Sequence, residues 1–257
     1  MRTLRLLAIG WLFHMKMLTR SSFNTFLGIV YPLFFATIAF FMFKAGAREG
    51  TLLYVSLGAG LMGIWSATLF ASGGAIQWQR WQGTLELSIA SPAPFLLVLL
   101  PMTLASATIG LYSLTGTLLW GRILFGVPFE LDKPLVFLLA IPATVIGLGL
   151  LGLVMASTFI LWRNANALSN LLEYPIWLVT GLLVPISLLP GWVTPLSWVL
   201  APTWGVRAIR DAALGGGDPL AAIGMCLALG ALYLGIGALT VRHFEQLARN
   251  RATLSLT

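Results

Sequence analysis

The stretch QWQRWQGTLELSIASPAP, residues 77–94, separates two long runs of apolar sequence. It holds one arginine, one glutamate, three glutamines, two tryptophans and a glycine, whereas residues 51–76 before it and 95–121 after it carry no charged side chain. At a rise of about 1.5 Å per residue, some 20 helical residues cross a hydrocarbon core about 30 Å thick. Both flanking runs reach that length, and so do residues 24–43, 134–162, 165–189 and 219–241. Lipid offers no partner to backbone N–H and C=O groups, so runs of this kind cross it as helices. Of the 257 residues 58% are hydrophobic and 9% charged, against about 25% charged in soluble domains. The pattern predicts an all-α integral membrane protein with six transmembrane helices in a single domain spanning residues 1–257.

Charge assigns the two sides. Basic residues cluster on the cytoplasmic side of membrane proteins. Arg2, Arg5, Lys16, Arg20, Arg80, Arg163, Arg242, Arg249 and Arg251 fall on one side of the six runs. Lys44, Arg48, Arg122, Lys133, Arg207 and Arg210 fall on the other, together with Glu49, Glu130, Asp132, Asp211 and Asp218. The net charge of +7 is therefore read as topology rather than as affinity for nucleic acid. Both termini and the stretch 77–94 are expected in the cytoplasm.

Residues 1–22 are too charged to span. On a helical wheel Arg2, Arg5, Lys16 and Arg20 fall within about 60° of one another, with Leu4, Leu7, Trp11, Met15 and Leu18 opposite. This predicts a helix lying in the cytoplasmic interface. Arg20 interrupts the apolar stretch and no small-residue cleavage site follows, so a signal peptide is not expected. At the other face, residues 190–218 are broken by Pro190, Pro195 and Pro202 yet are largely apolar. Short helices dipping into the outer leaflet fit that composition.

Catalytic chemistry is poorly represented. Ser72, in the sequence Ala-Ser-Gly-Gly, is the one candidate for an intramembrane serine nucleophile, but His14 and His243 lie outside the apolar runs. Two distant histidines and Cys226 alone make no metal site. No G-x-x-x-x-G-K-[ST] phosphate loop occurs, and none of the three lysines follows a glycine. A non-catalytic chain without a cofactor of its own is expected.

Glu173 is the only charge clearly inside an apolar run. An ionisable group there marks a functional position by default. Two readings stay open for it: a structural pair with Arg163, Arg80 or another helix, and a contact to a substrate or proton. The second would make the chain a self-sufficient secondary transporter with Glu173 as proton carrier.

Residues 77–82 are expected as a short polar helix with Trp78 and Trp81 in the interface. Gly83 ends it, Thr84 can cap the next turn, and Glu86 sits near that turn's positive end. A compact knob at residues 77–93 results, although physics alone also allows an ordinary loop. Gln79, Arg80, Gly83, Thr84, Leu85, Glu86, Ser91 and Pro92 resemble the R-x-x-G-T-L-E…S-P signature of bacterial ABC-transporter permeases of the type-2 exporter family. Tyr174, Pro175, Gly181, Pro185, Leu189, Pro190, Trp192, Leu196 and Pro202, followed by the segment from Arg207 to Arg210, are similar to its second signature. Relatives often carry a more acidic stretch before the glycine, where this chain has Gln77, Gln79 and Gln82.

The resemblance implies that the knob is a coupling helix docking on a separate ATP-binding subunit, which binds ATP and Mg. It implies an exporter of two permeases, identical or paralogous, and two ATPases in the bacterial inner membrane. Arg80, Gly83, Thr84 and Glu86 would transmit motion, and Trp65, Phe70, Trp177 and Leu182 would face the substrate. The apolar spans suggest a hydrophobic drug, an antibiotic or a lipid as cargo.

Overall fold

Helices form wherever the sequence is apolar and unbroken, in a computed structural model that describes residues 2–20, 22–45, 52–84, 87, 93–159, 165–182 and 184–251. In chain order they are α1 (Arg2–Arg20), α2 (Ser22–Ala45), α3 (Leu52–Trp81), α4 (Leu96–Ile109), α5 (Leu111–Phe125), α6 (Pro134–Phe159), α7 (Ala165–Val179), α8 (Val193–Trp198), α9 (Ala201–Leu214) and α10 (Pro219–Arg251). Among the described residues one 3-10 turn lies at Ile186–Leu188 and no strand occurs.

Local chemistry sets several of the ends. Gly126 stops α5 in the left-handed region, at φ 64°, with its N–H on the Gly121 carbonyl, a conformation that suits a residue without Cβ. Asp218 caps α10: its Oδ1 accepts from the N–H groups of Leu220 (3.0 Å) and Ala221 (3.2 Å), and Pro219 takes the first helical position.

The centre of the bundle is α3, which touches α2, α4, α5, α6, α7 and α9. Its glycines allow that crowding. A Cβ on Gly60 would stand 2.6 Å from Cα of Leu114, and one on Gly110 would stand 2.6 Å from Cα of Ile64. The backbones of α3 and α5 are thus in direct contact, the geometry that small residues permit between helices in a membrane. The α6–α10 pair is built the same way, with Gly147 under Cys226 and Gly237 under Leu153.

The structure bears on three expectations. First, among the described residues four helical stretches are long and apolar enough to cross a membrane: Leu52–Gly74, Leu96–Phe125, Pro134–Phe159 and Pro219–Gln246. The run 24–43 lies within the single helix α2. The run 165–189 is helical only to Val179, because Gly181 takes φ 77° and Pro185 has no N–H to continue the ladder.

Second, residues 77–81 are not a separate helix. Nothing breaks the chain before Gly83 (φ 66°), so α3 simply runs on to Trp81. Residues 85, 86 and 88–92 of the expected 77–93 knob lie outside the described residues.

Third, α1 turns only part of its apolar stripe to protein, and Leu4 of that stripe is 72% exposed. Leu7, Gly10, Trp11 and Leu18 are partly covered, α1 lies along α4, and Gly10 approaches Pro101. Leu6, Phe13 and Met17 are left exposed beside Arg5 and Lys16. The wheel had assigned the stripe around Leu7 and Leu18 to lipid. A protein groove satisfies part of the same apolar face.

Candidate functional site

Two regions hold the residues singled out from the sequence. The first is the polar end of the bundle, where α3 finishes. Arg80 is in the last turn of α3, and Gly83 follows it at positive φ, exposed, with nothing within 4 Å of where its Cβ would be. The Thr84 hydroxyl donates back to the Gln79 carbonyl at 3.3 Å, closing the end of α3. Glu86 lies outside the described residues.

The chain re-enters the bundle at Phe95, whose backbone N–H donates to Oε1 of Glu245 at 2.5 Å. Glu245 belongs to the far end of α10, 150 residues away in sequence. It therefore ties the exit of the polar segment to the last helix, while α1 braces the following helix through Trp11 Nε1, which donates to Thr108 Oγ1 at 3.2 Å. Neither contact has a signal in the sequence, because each joins elements far apart in the chain.

The second region lies near the middle of α3, where α7 runs beside it in the opposite direction. Gly73 meets Ser169, Ser66 meets Glu173, and Gly58 meets the Leu182 carbonyl. The Ser66 hydroxyl donates to Oε1 of Glu173 at 2.5 Å, and Glu173 is only 2% exposed. Ser66 is its one partner among the described residues. One turn further along α7, Trp177 is 3% exposed and its Nε1 has no hydrogen-bond partner among the described residues.

Trp177 lines a small cavity of about 10 Å³ with Pro32 and Phe35 of α2 and Ala59, Met62, Gly63 and Ser66 of α3, no larger than a single water needs. Of the four residues expected to face a substrate, Trp177 alone lines this cavity. Trp65 and Leu182 are buried in packed protein, and Phe70 is half-buried.

Beyond the end of α7, the non-helical backbone is held by one side chain. Arg210 of α9, 8% exposed, donates through Nη1 to the Tyr54 hydroxyl (2.8 Å) and the Gly181 carbonyl (2.5 Å). Through Nη2 it donates to the Leu182 carbonyl (2.9 Å). Charge counting had placed Arg210 merely on the outer side. Burial makes it a clamp between α9, α3 and the segment after α7.

Reactive constellations are scarce. The buried Ser72 hydroxyl donates to the Thr68 carbonyl at 2.6 Å, an ordinary helix contact. No group of three or more His, Cys, Asp or Glu side chains suited to a metal ion occurs among the described residues. Cys226 is a free, buried thiol facing the Ala143 carbonyl.

Compared with protein families, the chain matches the model of one, ABC-2 type transporter, over residues 5–214. A comparison with curated proteins gave no match.

Proposed function

This protein belongs to the ABC-2 type transporter family as a multi-pass membrane component, and we propose that it is the permease of an ATP-driven exporter whose ATP is hydrolysed on a separate subunit. The observation that carries this reading is the family match, which begins in α1 and runs through α9. Members of the family pair in general with an ABC ATP-binding subunit. The absence of a phosphate-cradling motif from the sequence agrees with that division of labour.

The finer assignments follow from residues. Six crossings remain the best account of the chain. The 24 residues of α2 extend about 36 Å as a helix. The 15 residues of α7 reach about 22 Å, and the non-α-helical stretch after it, with Gly181, Leu182 and the 3-10 turn Ile186–Leu188, completes the crossing. Such backbone is tolerated at membrane depth only where protein satisfies it, and Arg210 supplies that satisfaction at Gly181 and Leu182. The excess of basic residues at the end holding α1, Arg80 and Arg242 supports a reading in which both termini are cytoplasmic, and the membrane we infer is a bacterial inner membrane.

In this reading the segment from the end of α3 to Phe95 docks on the ATPase. Arg80, Gly83, Thr84 and Glu86 transmit its motion, and Glu245 and α1 hold the base of that segment. Two permeases, identical or paralogous, enclose the route of a hydrophobic drug, antibiotic or lipid. The buried Glu173 favours one rival, a secondary transporter in which this carboxyl carries protons.

The experiment is gentle solubilisation from native membranes, with mass spectrometry of what comes along. A soluble protein with a phosphate-binding Walker loop, in stoichiometric amount, is the expected companion. Gly83→Trp is expected to insert normally and to lose that companion or its coupled transport. Recovery of the wild-type chain alone, in active form, would refute the reading.

A further inference from the structure

One apolar run crosses as two helices that lean on different neighbours. Leu96–Phe125 is long and apolar enough to span, yet it divides at Gly110 into α4 and α5. α4 packs on α6, whereas α5 packs on α3 and α2 and barely touches α6, although residues 126–133 join α5 to α6 directly. Gly110 permits this course. A Cβ there would stand 2.6 Å from Cα of Ile64, so only without a side chain can the start of α5 press so closely onto α3.

An apolar groove of about 390 Å³ is left between α5 and α6. Its walls include Leu111, Thr115, Leu118 and Leu119 of α5, Phe129 of the connection and Ile141 of α6. The Thr115 hydroxyl donates to the Leu111 carbonyl at 2.9 Å, so it brings no unmet polar demand into the groove. Leu119 is 54% exposed and Phe129 40%, which opens the groove to the outside of the chain. Both helical walls belong to stretches able to cross a membrane, where the surrounding medium is acyl chain, as apolar as leucine. A gap left empty there would forfeit dispersion contacts.

Arg122 says which molecule supplies that chain. It follows Leu111, Thr115, Leu118 and Leu119 at spacings of three and four residues, so it stands on the same helix face, one turn nearer the end of α5. From Leu111 to Arg122 the helix rises about 16 Å, the depth of one leaflet of a hydrocarbon core about 30 Å thick. Arg122 is exposed and pairs with no acid among the described residues. Its Nη1 donates to the Val127 carbonyl at 3.3 Å, and the other donors of the fork point to no described acceptor. Asp132 of the same connection is turned to Gly215, beyond the end of α9. A cation at the edge of a span seeks an anion at headgroup depth, and a phosphate matches the guanidinium fork.

We propose that the α5–α6 groove holds one acyl chain of a phospholipid, in the leaflet on the Arg122 side, with the lipid phosphate on Arg122. The lipid completes the packing that the divergence at Gly110 leaves open. The proposal goes beyond the permease reading and needs only a membrane-spanning chain, so it stands or falls apart from the motor.

The test uses the purified full chain in dodecyl maltoside micelles, which carry no phosphate. It is mixed with trace phosphatidylglycerol bearing a diazirine in one acyl chain and, separately, with diacylglycerol bearing the same chains. After illumination, mass spectrometry maps the labelled peptides, and unlabelled lipid competes to give affinities. In the wild type, saturable labelling is expected to concentrate in α5 and the first turns of α6. Phosphatidylglycerol is expected to bind there about tenfold more tightly than diacylglycerol, the low end for hydrogen bonds to a charged group. Arg122→Gln is expected to bring phosphatidylglycerol down to the diacylglycerol level and to leave diacylglycerol unchanged. Leu118→Trp, which sets an indole in the groove, is expected to weaken both. Unsaturable labelling spread equally over the apolar face of α10 would overturn the proposal, by showing bulk lipid only. So would no labelling between α5 and α6, the result if a second copy of this chain covers the groove, and so would equal wild-type affinities for the two lipids. These three outcomes are read in the wild type and decide the matter even where a variant fails to fold. A preference that survives Arg122→Gln would overturn it as well.

Discussion

Gly60→Val is expected to lower the stability of the purified protein by about 3 kcal/mol, the upper part of the usual overpacking range. The reason is that the nearest obstacle is backbone. A Cβ on Gly60 would lie 2.6 Å from Cα of Leu114, with the Thr117 hydroxyl 2.7 Å away on the same helix. A side chain could rotate aside, but Leu114 Cα can move only if α5 moves, and α5 also packs on α2. Gly60→Ala is expected to be destabilising in the same direction. Gly224→Ala makes the contrast, since nothing lies within 4 Å of its Cβ position in α10. A glycine-to-alanine change in such open helix gains about 0.4–1 kcal/mol. Thermal unfolding of the three variants in one mild detergent checks the sign of each effect.

Arg210→Met is the second large effect, also about 3 kcal/mol, through loss of hydrogen bonds made by a charged group to buried acceptors. Methionine fills much of the arginine's volume, so the change isolates the guanidinium. Without it the Gly181 and Leu182 carbonyls and the Tyr54 hydroxyl lose their donor. Arg210→Lys keeps the charge but not the fork that reaches both carbonyls, and its loss is expected to be intermediate. The segment following α7 should then open before the bundle melts. Limited proteolysis near residues 181–189 would detect it as a new cleavage in Arg210→Met that the wild type resists. A wild-type melting profile in Arg210→Met would show that the clamp contributes nothing.

These two positions also mark what the sequence could and could not reveal. Gly58, Gly60 and Gly63 are visible as small residues suited to close helix contact, and α3 does use that face. Their partners are not visible, because Leu114 and Ser113 are reached through a turn of the chain that no local pattern encodes. Arg210 is a sharper case. Its charge and its side of the membrane can be read directly, but its burial depends on Tyr54, which is 156 residues away, and on carbonyls that are free only because α7 stops early. The stop itself had local causes in Gly181 and Pro185, outweighed in reading by the apolar length of residues 165–189.

The candidate sites divide along the same line. Gly83 was legible as a break, and its φ of 66° agrees. The separate helix expected over residues 77–82 does not form, since polarity alone does not end a helix, and α3 carries its polar turns on to Trp81. Glu173 stood out as the one charge inside an apolar run. Its partner Ser66 did not, because serine is unremarkable until a second helix is laid beside it.

The central claim is that transport through this chain is driven by ATP hydrolysed on another subunit. It is tested most directly in proteoliposomes containing the purified chain, with and without its ATP-binding partner. Uptake of a labelled amphiphile into inverted vesicles is followed under ATP alone and under a proton gradient alone. The account predicts uptake only when partner and ATP are both present, and none under the proton gradient. Uptake by the chain alone under a proton gradient, lost in Glu173→Gln, would contradict it and leave the secondary transporter in its place.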